Sequence, residues 1–420
     1  MSRQVVIIGA GVVGAISAIE ALKEGHRVTF IEPGEPGGDQ AASYGNAGWL
    51  SSHSVIPPAE PGTWKKVPGF LLDPLGPLAI RWSYLPQAAP WLLRYLASGW
   101  TVERVTTTAR ALRALLAEAP RLHQALAQQA GAGHLIERRG VLHVYPSRAN
   151  FDADAGAWGI RRQVGVQWLE LSADELRRRE PELDSRYAFG VFVEEAGSCR
   201  DPGAYVAALV ARARALGAQI VRDQATGFRI EAGTLKAVLT GANEIACEAA
   251  VIAAGVRSKP LAALAGDRVP LQAERGYHVV IERPEAGPRT PLMAVDCKAV
   301  ASMTEYGLRM AGQVEIAAPD AAPNWRRAQI LRDRLLSLFP ALPRNLPENR
   351  VRYWLGCRPS MPDGLPCIGC ASATRDIIYA FGHGHVGLVG SARTGRVVAQ
   401  LLSGHKPEIP LGPYDPRRFA

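Results

Sequence analysis

Val5-Val6-Ile7-Ile8 is an unbroken apolar run that ends directly in Gly9-Ala10-Gly11-Val12-Val13-Gly14. A short continuous apolar run is the signature of a strand buried on both faces, as in a parallel sheet. Residues 15–25 then place apolar side chains at helical spacing, and Gly25 stops the helix. Val28-Thr29-Phe30-Ile31-Glu32 reads as a second strand. Strand, glycine turn, helix and strand within about 30 residues make a β-α-β unit. G-x-G-x-x-G in that setting, with an acidic residue closing the second strand, is a dinucleotide fingerprint. The glycines let the backbone approach a pyrophosphate at the helix N-terminus, where unpaired N–H groups favour anions. The Glu32 carboxylate suits the adenosine ribose. Gly9, Gly11, Val12, Val13, Gly14 and Glu32 are therefore candidate cofactor-binding residues. The fingerprint alone does not separate nicotinamide from flavin dinucleotides.

The rest of the chain alternates between two kinds of pattern. Residues 33–68 form a Gly-, Ser- and Pro-rich loop, and loops of that length are usually functional. Residues 69–100 are apolar and aromatic, and residues 103–130 read as one long helix with Leu112, Leu115, Leu116 and Leu122 on its apolar side. A strand is expected at 136–145, and Asp201-Pro202 opens a helix to Leu216 that Gly217 ends. Strands follow at 218–221 and 249–254, the latter closed by Gly255. Antiparallel strands are expected at 277–281, 294–303 and 308–317, then a helix over 325–339. Ile377-Ile378-Tyr379-Ala380-Phe381 is a last buried strand before Gly382-His383-Gly384-His385 and a helix over 387–402. Nucleotide-type strands at the start, middle and end imply one discontinuous nucleotide domain, residues 1–68, 196–262 and 353–420. Residues 69–195 and 263–352 would form a substrate domain.

Composition excludes several classes. With 47% apolar and 21% charged residues the chain has ample core and is not disordered. The net charge of +9 comes from scattered arginines such as Arg110, Arg113 and Arg121. No dense Lys/Arg run interleaved with aromatics exists, so no nucleic-acid partner is expected. A solvated basic face or contact with an anionic membrane remains. No apolar stretch of about 20 uncharged residues reads as a transmembrane helix. The first strand begins almost at once, so no signal peptide is expected, and the six cysteines would be reduced thiols in a cytoplasm. Cys367-Ile368-Gly369-Cys370 lacks a second pair at metal-ligand spacing, and no metal site is expected.

Four further segments separate the dinucleotides by resemblance. Ser43-Tyr44-Gly45-Asn46-Ala47-Gly48, Ala253-Ala254-Gly255, Trp354-Leu355-Gly356-Cys357-Arg358-Pro359 with Asp363-Gly364 and Pro366-Cys367-Ile368-Gly369, and Gly382-His383-Gly384-His385-Val386-Gly387 stand in that order. The chain resembles, over nearly its whole length, the D-amino-acid dehydrogenase branch of the FAD-dependent D-amino-acid oxidase, glycine oxidase and sarcosine oxidase superfamily. The resemblance implies an α/β (α+β) fold: a Rossmann-like FAD-binding domain and a substrate domain with an antiparallel sheet and flanking helices. It adds Ser43, Asn46, Ala47, Gly48, Leu50, Ala254, Gly255, Gly382, His383, Gly384, His385, Val386, Gly387 and Leu388 to the expected FAD-binding residues. Trp49 and His53 follow the same loop and are weighed as site-lining residues with Leu50. In monomeric sarcosine oxidases a Cys near this Arg tethers the flavin. The spacing of Cys357 to Asp363 departs from that pattern, so non-covalent FAD is expected.

Physical chemistry supports the roles separately. Reduced flavin is anionic around N1 and C2=O, and a glycine turn entering a helix N-terminus at residues 384–387 would bring partial positive charge there. His383 and His385 either reinforce it or serve packing. Arg358 presents a planar fork that matches a carboxylate. In the resembled family the Arg of this motif grips the amino-acid carboxylate; a structural pairing with Asp363 or with the C-terminal region is the alternative. Tyr277 is either a second substrate contact or a core tyrosine. Arg358, Tyr277 and His385 are thus the catalytic candidates.

The implied reaction is oxidative deamination of a D-amino acid. Hydride passes from Cα to flavin N5, and the imino product hydrolyses to a 2-oxo acid and ammonia. The electrons pass to a quinone or another acceptor, O₂ included. A secondary amino acid, such as D-proline, hydroxy-D-proline, sarcosine or an opine, is the alternative substrate. A subunit role in a larger dehydrogenase, with Cys367 and Cys370 facing a partner, is also open, as is the oligomeric state. Residues Phe70, Leu71, Leu72, Leu75, Leu78, Trp82, Leu85, Trp91, Leu92, Leu93 and Leu96, broken by prolines, Arg81 and Arg94, are either a peripheral element on the inner face of the cell membrane or domain core.

Overall fold

The computed structural model describes residues 2–67, 69, 76 and 78–420. Phe70, Leu71, Leu72 and Leu75 lie outside the described residues. The opening apolar run becomes β1 (Gln4–Ile8), followed by α1 (Val12–Lys23) and β2 (Arg27–Ile31). They belong to a six-stranded sheet in the order Gln219–Val221, β2, β1, Ala249–Ile252, Ile377–Phe381, Cys367–Cys370. The first five run parallel, and Cys367–Cys370 is antiparallel at the edge.

Both faces of this sheet are covered, which explains the unbroken apolar run. Val5 and Ile7 pack with Val28, Phe30 and Val251 under α1 and the helices Pro202–Ala215 and Gly387–Leu402. Val6 and Ile8 point the other way with Ala250 and Ile252, against Leu235 and Val238 of a small antiparallel sheet formed by Ala225–Glu231, Thr234–Thr240 and Glu244–Ala246.

A second sheet has nine strands. Three of its strands matter here, β3 (Gln272–Ile281), β4 (Gly307–Ile316) and β5 (Val351–Ser360), with β3 between the other two and β5 at the sheet's edge. The sheet is mixed rather than purely antiparallel. Leu78–Ile80 pairs parallel with β4, and Leu292–Ala294 pairs parallel with Val141–Tyr145. Helix Arg326–Leu338 packs its buried Ala328, Leu331 and Leu335 into this sheet's core. β5 runs across the 352/353 boundary expected from sequence, so Trp354 to Ser360 pair within this sheet.

Three expected elements are divided. The helix over 103–130 is two, Val102–Leu116 and Ala119–Gln129. Pro120 lacks an N–H and its ring opposes the carbonyl four residues back, so it fits only in a new first turn. The strand over 136–145 breaks at Gly140, whose φ of 74° turns the chain. Ile136–Glu137 instead pairs with Gly197–Cys199, which also pairs with Trp49–Leu50. The strand over 294–303 is a hairpin of Leu292–Ala294 and Ala299–Thr304, turning at Lys298 (φ 49°).

The apolar segment before residue 100 has two sides. Helix α2 (Leu85–Ser98) buries Ala88 and Trp91, while Leu93 stays 69% exposed and Trp82 and Trp100 flank it on the surface. Among the described residues no helix is long and apolar enough to cross a membrane.

Candidate active site

The carboxyl ends of the central parallel strands meet at one cavity of about 1400 Å³. That exceeds the roughly 300–1,000 Å³ typical of a single small-molecule site, and it lies where doubly wound sheets bind nucleotides. β1 leads into Gly9, Gly11 and, at the start of α1, Val12 and Val13; β2 leads into Glu32. Ala249–Ile252 leads into Ala254 and Gly255, and Ile377–Phe381 into Gly382, His383, Gly384, His385, Gly387 and Leu388. Ser43, Asn46 and Ala47 line the cavity from the loop after β2.

The fingerprint glycines divide their tasks. Gly9 has φ 103°, and a Cβ there would strike the backbone of Ala253. A Cβ on Gly14 would strike the Gly9 carbonyl, so this glycine seats α1 against β1. Gly11 is different: a Cβ there would meet only Ser43 Oγ, at 3.5 Å, so its absence keeps open space at the α1 N-terminus. Ser43 Oγ accepts the Val12 N–H (3.2 Å). Glu32 Oε2 accepts the Ala10 N–H (2.8 Å) and Oε1 the Gly34 N–H (3.0 Å), fixing the carboxylate at the end of β2. A helix N-terminus with free space, a fixed carboxylate and a cavity of about 1400 Å³ fit the pyrophosphate and ribose of FAD.

The loop of residues 43–48 is held by the large sheet. His278 Nδ1 lies 3.2 Å from the Gly45 carbonyl, Arg309 Nη1 donates to the Asn46 carbonyl (2.8 Å), and Ser302 Oγ donates to the Ala47 carbonyl (3.1 Å). Burial pushes the His278 imidazole down to about 3, with the Arg309 charge adding to it. Trp354 lies over this loop: a Cβ on either Gly45 or Gly356 would collide with its indole, which stacks on His278 at 5.0 Å. That is the steric reason for the two glycines of the loop and of Trp-x-Gly. His278, Ser302 and Arg309 were not singled out from sequence, because they sit on ordinary strands far from the loop in the chain.

Arg358 on β5 lines the same cavity, with its guanidinium across Gly276 of β3; a Cβ on Gly276 would overlap it. Its Nη1 donates to the Gln313 carbonyl (3.2 Å). Asp363, the alternative partner considered from sequence, pairs instead with Arg418 (2.7 Å). Glu274, directly opposite Arg358 on β3, is buried in the cavity wall. Glu274 Oε2 accepts from Ser360 Oγ (2.9 Å) and lies 2.8 Å from His385 Nε2. Burial favours the neutral Glu274 carboxyl, but His385, the Arg358 charge and Ser360 together hold it below the ordinary carboxylate range.

Other expected residues take structural places. Tyr277 reaches the cavity wall, but its hydroxyl donates to Glu315 (2.7 Å) and accepts the Asn324 N–H (3.0 Å). Glu315 also takes Arg81 (2.7 Å) and Arg275 (3.2 Å), so the phenol belongs to a buried ionic cluster. His383 Nε2 lies 2.9 Å from Thr394 Oγ1, and burial pushes the imidazole down to about 3. Trp49 lines the cavity, whereas His53 is buried with Nε2 2.8 Å from His143 Nε2. Gly14, Gly48, Leu50 and Val386 do not line it. Gly48 gives way to the Cys199 carbonyl, and Leu50 and Val386 are core side chains. Cys357 lines the cavity, its thiol pushed up by burial.

Comparison with known proteins agrees with this geometry. The family model for "FAD dependent oxidoreductase" matches residues 4–401. The chain is 69% identical over 417 residues to a protein named D-amino-acid oxidase from Bradyrhizobium diazoefficiens, covering 99% of each. It is 32% identical over 425 residues to a D-amino acid dehydrogenase from Paramagnetospirillum magneticum, again covering 99% of each. Among solved structures, glycine oxidase from Geobacillus kaustophilus has the same fold, with a TM-score of 0.74 at 22% identity, over 99% of this chain and 98% of that one. The chain therefore belongs to the family of FAD-dependent oxidoreductases.

Proposed function

We propose that this protein oxidatively deaminates D-amino acids to 2-oxo acids and ammonia. The observation that carries this is the Arg358 guanidinium, lying across Gly276 in the cavity where the strand ends converge. Arg358 takes the substrate carboxylate in paired hydrogen bonds. Gly9, Gly11, Glu32 and Ser43 hold the dinucleotide half of FAD, and Asn46, Ala47 and residues 382–388 border its ring. FAD, when bound, supplies the hydride acceptor. The chain's own part is to dock the carboxylate, turn Cα toward the ring, and keep the reacting atoms among Trp91, Leu92 and Tyr95 of α2, away from bulk water. Residues 1–68, 196–262 and 353–420 serve the cofactor, and 69–195 and 263–352 the substrate, with β5 bridging them. The two relatives' names, oxidase and dehydrogenase, leave both O₂ and a quinone as acceptors to be tried.

FAD is held non-covalently: burial keeps the Cys357 thiol protonated and a poor nucleophile. One experiment tests both statements. Acid-denatured holoenzyme should release free FAD, and the intact holoenzyme, kept anaerobic, should bleach with D-amino acids and recover with air or a quinone analogue. Flavin remaining on the denatured chain would refute non-covalent binding. Bleaching by N-alkyl glycines or D-prolines alone would move the substrate to secondary amines.

The outer face of α2 is the side we assign to peripheral contact with an anionic membrane. Leu93 and Arg94 are exposed on the helix, and Trp82 and Trp100 are exposed before and after it in the chain, a set of apolar anchors and a cation suited to an interface. Holoenzyme should sediment with phosphatidylglycerol vesicles and not with phosphatidylcholine. Trp82→Ala with Leu93→Ala should lose that sedimentation while retaining full flavin content.

A further inference from the structure

Two polar side chains at the Arg358 end of the cavity have capacity that the fold leaves unused. The first is Gln313. β4 bulges here: Gly312 pairs with Tyr277 and Glu315 with Arg275, so Gln313 and Val314 together oppose Gly276. Gln313 takes φ 61°, a left-handed conformation that side chains other than Gly, Asn and Asp seldom adopt. Such strain gathers at functional positions. Gln313 is 4% exposed, lines the cavity, and its side-chain Oε1 is buried without a hydrogen-bond partner. Its main-chain carbonyl meanwhile accepts Arg358 Nη1. A buried unpartnered acceptor in a native protein calls for an explanation, and a ligand donor is one.

The second is Glu274. Both hydrogen bonds to its carboxylate, from Ser360 and His385, go to Oε2. Oε1 has no partner among the described residues, and the residue borders the cavity directly across from Arg358.

We infer that Glu274 and Gln313 bind the α-ammonium group of the substrate, so that with Arg358 they recognise an amino-acid zwitterion. The inference rests on the reading of Arg358 as the carboxylate site. An α-ammonium sits one carbon away from the carboxylate and presents donors only, so it needs acceptors beside the guanidinium. Glu274 Oε1 and Gln313 Oε1 are such acceptors, one anionic and one neutral. When the substrate carboxylate neutralises Arg358, Glu274 loses part of the positive field that supports its charge, and the incoming ammonium replaces it. A hydroxy acid or a simple carboxylic acid brings no cation and leaves both acceptors unmatched.

The test is calorimetric binding to FAD-loaded enzyme of two probes that are not oxidised. 2-Aminoisobutyrate has carboxylate and ammonium but no Cα–H, and isobutyrate lacks the amine. Wild type should bind the amino compound at least about tenfold more tightly, as expected for charge-assisted hydrogen bonds. In Glu274→Gln the ratio should fall to about one, and in Gln313→Leu to about a third of the wild-type value, by the same logic. Isobutyrate binding should change less than about twofold in Gln313→Leu. If Glu274→Gln fails to retain FAD, Gln313→Leu decides: a fall of the ratio to about a third supports the inference and an unchanged ratio overturns it. Equal wild-type binding of the two probes, with isobutyrate binding still dependent on Arg358, overturns the inference alone. Isobutyrate binding unaffected by Arg358→Leu overturns the carboxylate reading and this inference with it.

Discussion

Arg358→Leu should lower kcat/KM for a D-amino acid by about 10³-fold, mainly through KM, while the enzyme keeps its full complement of FAD. Each charge-assisted hydrogen bond contributes roughly 1.5–3 kcal/mol, and a fork makes two of them. Their loss therefore spans about 10² to 10⁴ in binding. FAD should stay, because the fingerprint turn, Glu32 and the strand ends that border the dinucleotide half are on the six-stranded sheet, whereas Arg358 is on β5. Removing Arg358 also leaves the Glu274 carboxylate with His385 and Ser360 as its support, so a modest fall in Tm is expected alongside. Steady-state kinetics with the flavin absorbance ratio measures both quantities. Unchanged KM would remove Arg358 from the substrate site.

Gly14→Ala should lose both stability and FAD affinity, and Gly11→Ala FAD affinity alone. At Gly14 a Cβ meets the Gly9 carbonyl, which is fixed backbone, so α1 has to move off β1. Overpacking of that kind costs about 1–3 kcal/mol, and the shift carries the α1 N-terminus away from the cavity. Tm should fall in the FAD-free protein, and the Kd for FAD should rise by about 10²-fold, the binding equivalent of that strain. At Gly11 the added methyl meets only Ser43 Oγ, at ordinary contact distance. The FAD-free protein should therefore keep its Tm, and only FAD binding should weaken if, as proposed, pyrophosphate takes the space that the methyl would occupy. Thermal melts and FAD titrations of the two apoproteins read both. Equal Tm losses would mean that the two glycines share one packing role.

The contrast between these glycines also indicates how far sequence could reach. G-x-G-x-x-G located the turn, and the unbroken run of residues 5–8 marked a strand covered on both faces, which it is. The later buried strands were found by the same signal, since a parallel interior strand is apolar throughout. Elements without that signal were harder to delimit. Pro120 cut a periodic helix, and Gly140 and Lys298 turned what read as single strands. The site itself was half legible. Motif residues at strand ends were visible because turns demand particular residues. Gln313, Glu274, Arg309 and Ser302 were not assigned roles, because their importance lies in which strand they face. The register of β3 against β4 and β5 brings Gln313 and Glu274 to Arg358, and a bulge shifts it by one residue. Such a register is a property of tertiary pairing that local pattern does not carry. Tyr277 shows the converse: a conspicuous residue whose hydroxyl the protein itself engages.

The loop of residues 43–48 has its carbonyls gripped by His278, Arg309 and Ser302 from the large sheet. Fixing a backbone residue removes roughly 1–2 kcal/mol of conformational entropy at room temperature. Here that loss falls in the folding of the chain and not in the capture of the cofactor. The loop is a preorganised wall, so the affinity for FAD is spared the ordering of six residues. The large sheet thereby bears on how tightly FAD binds through a loop that belongs to none of its own strands.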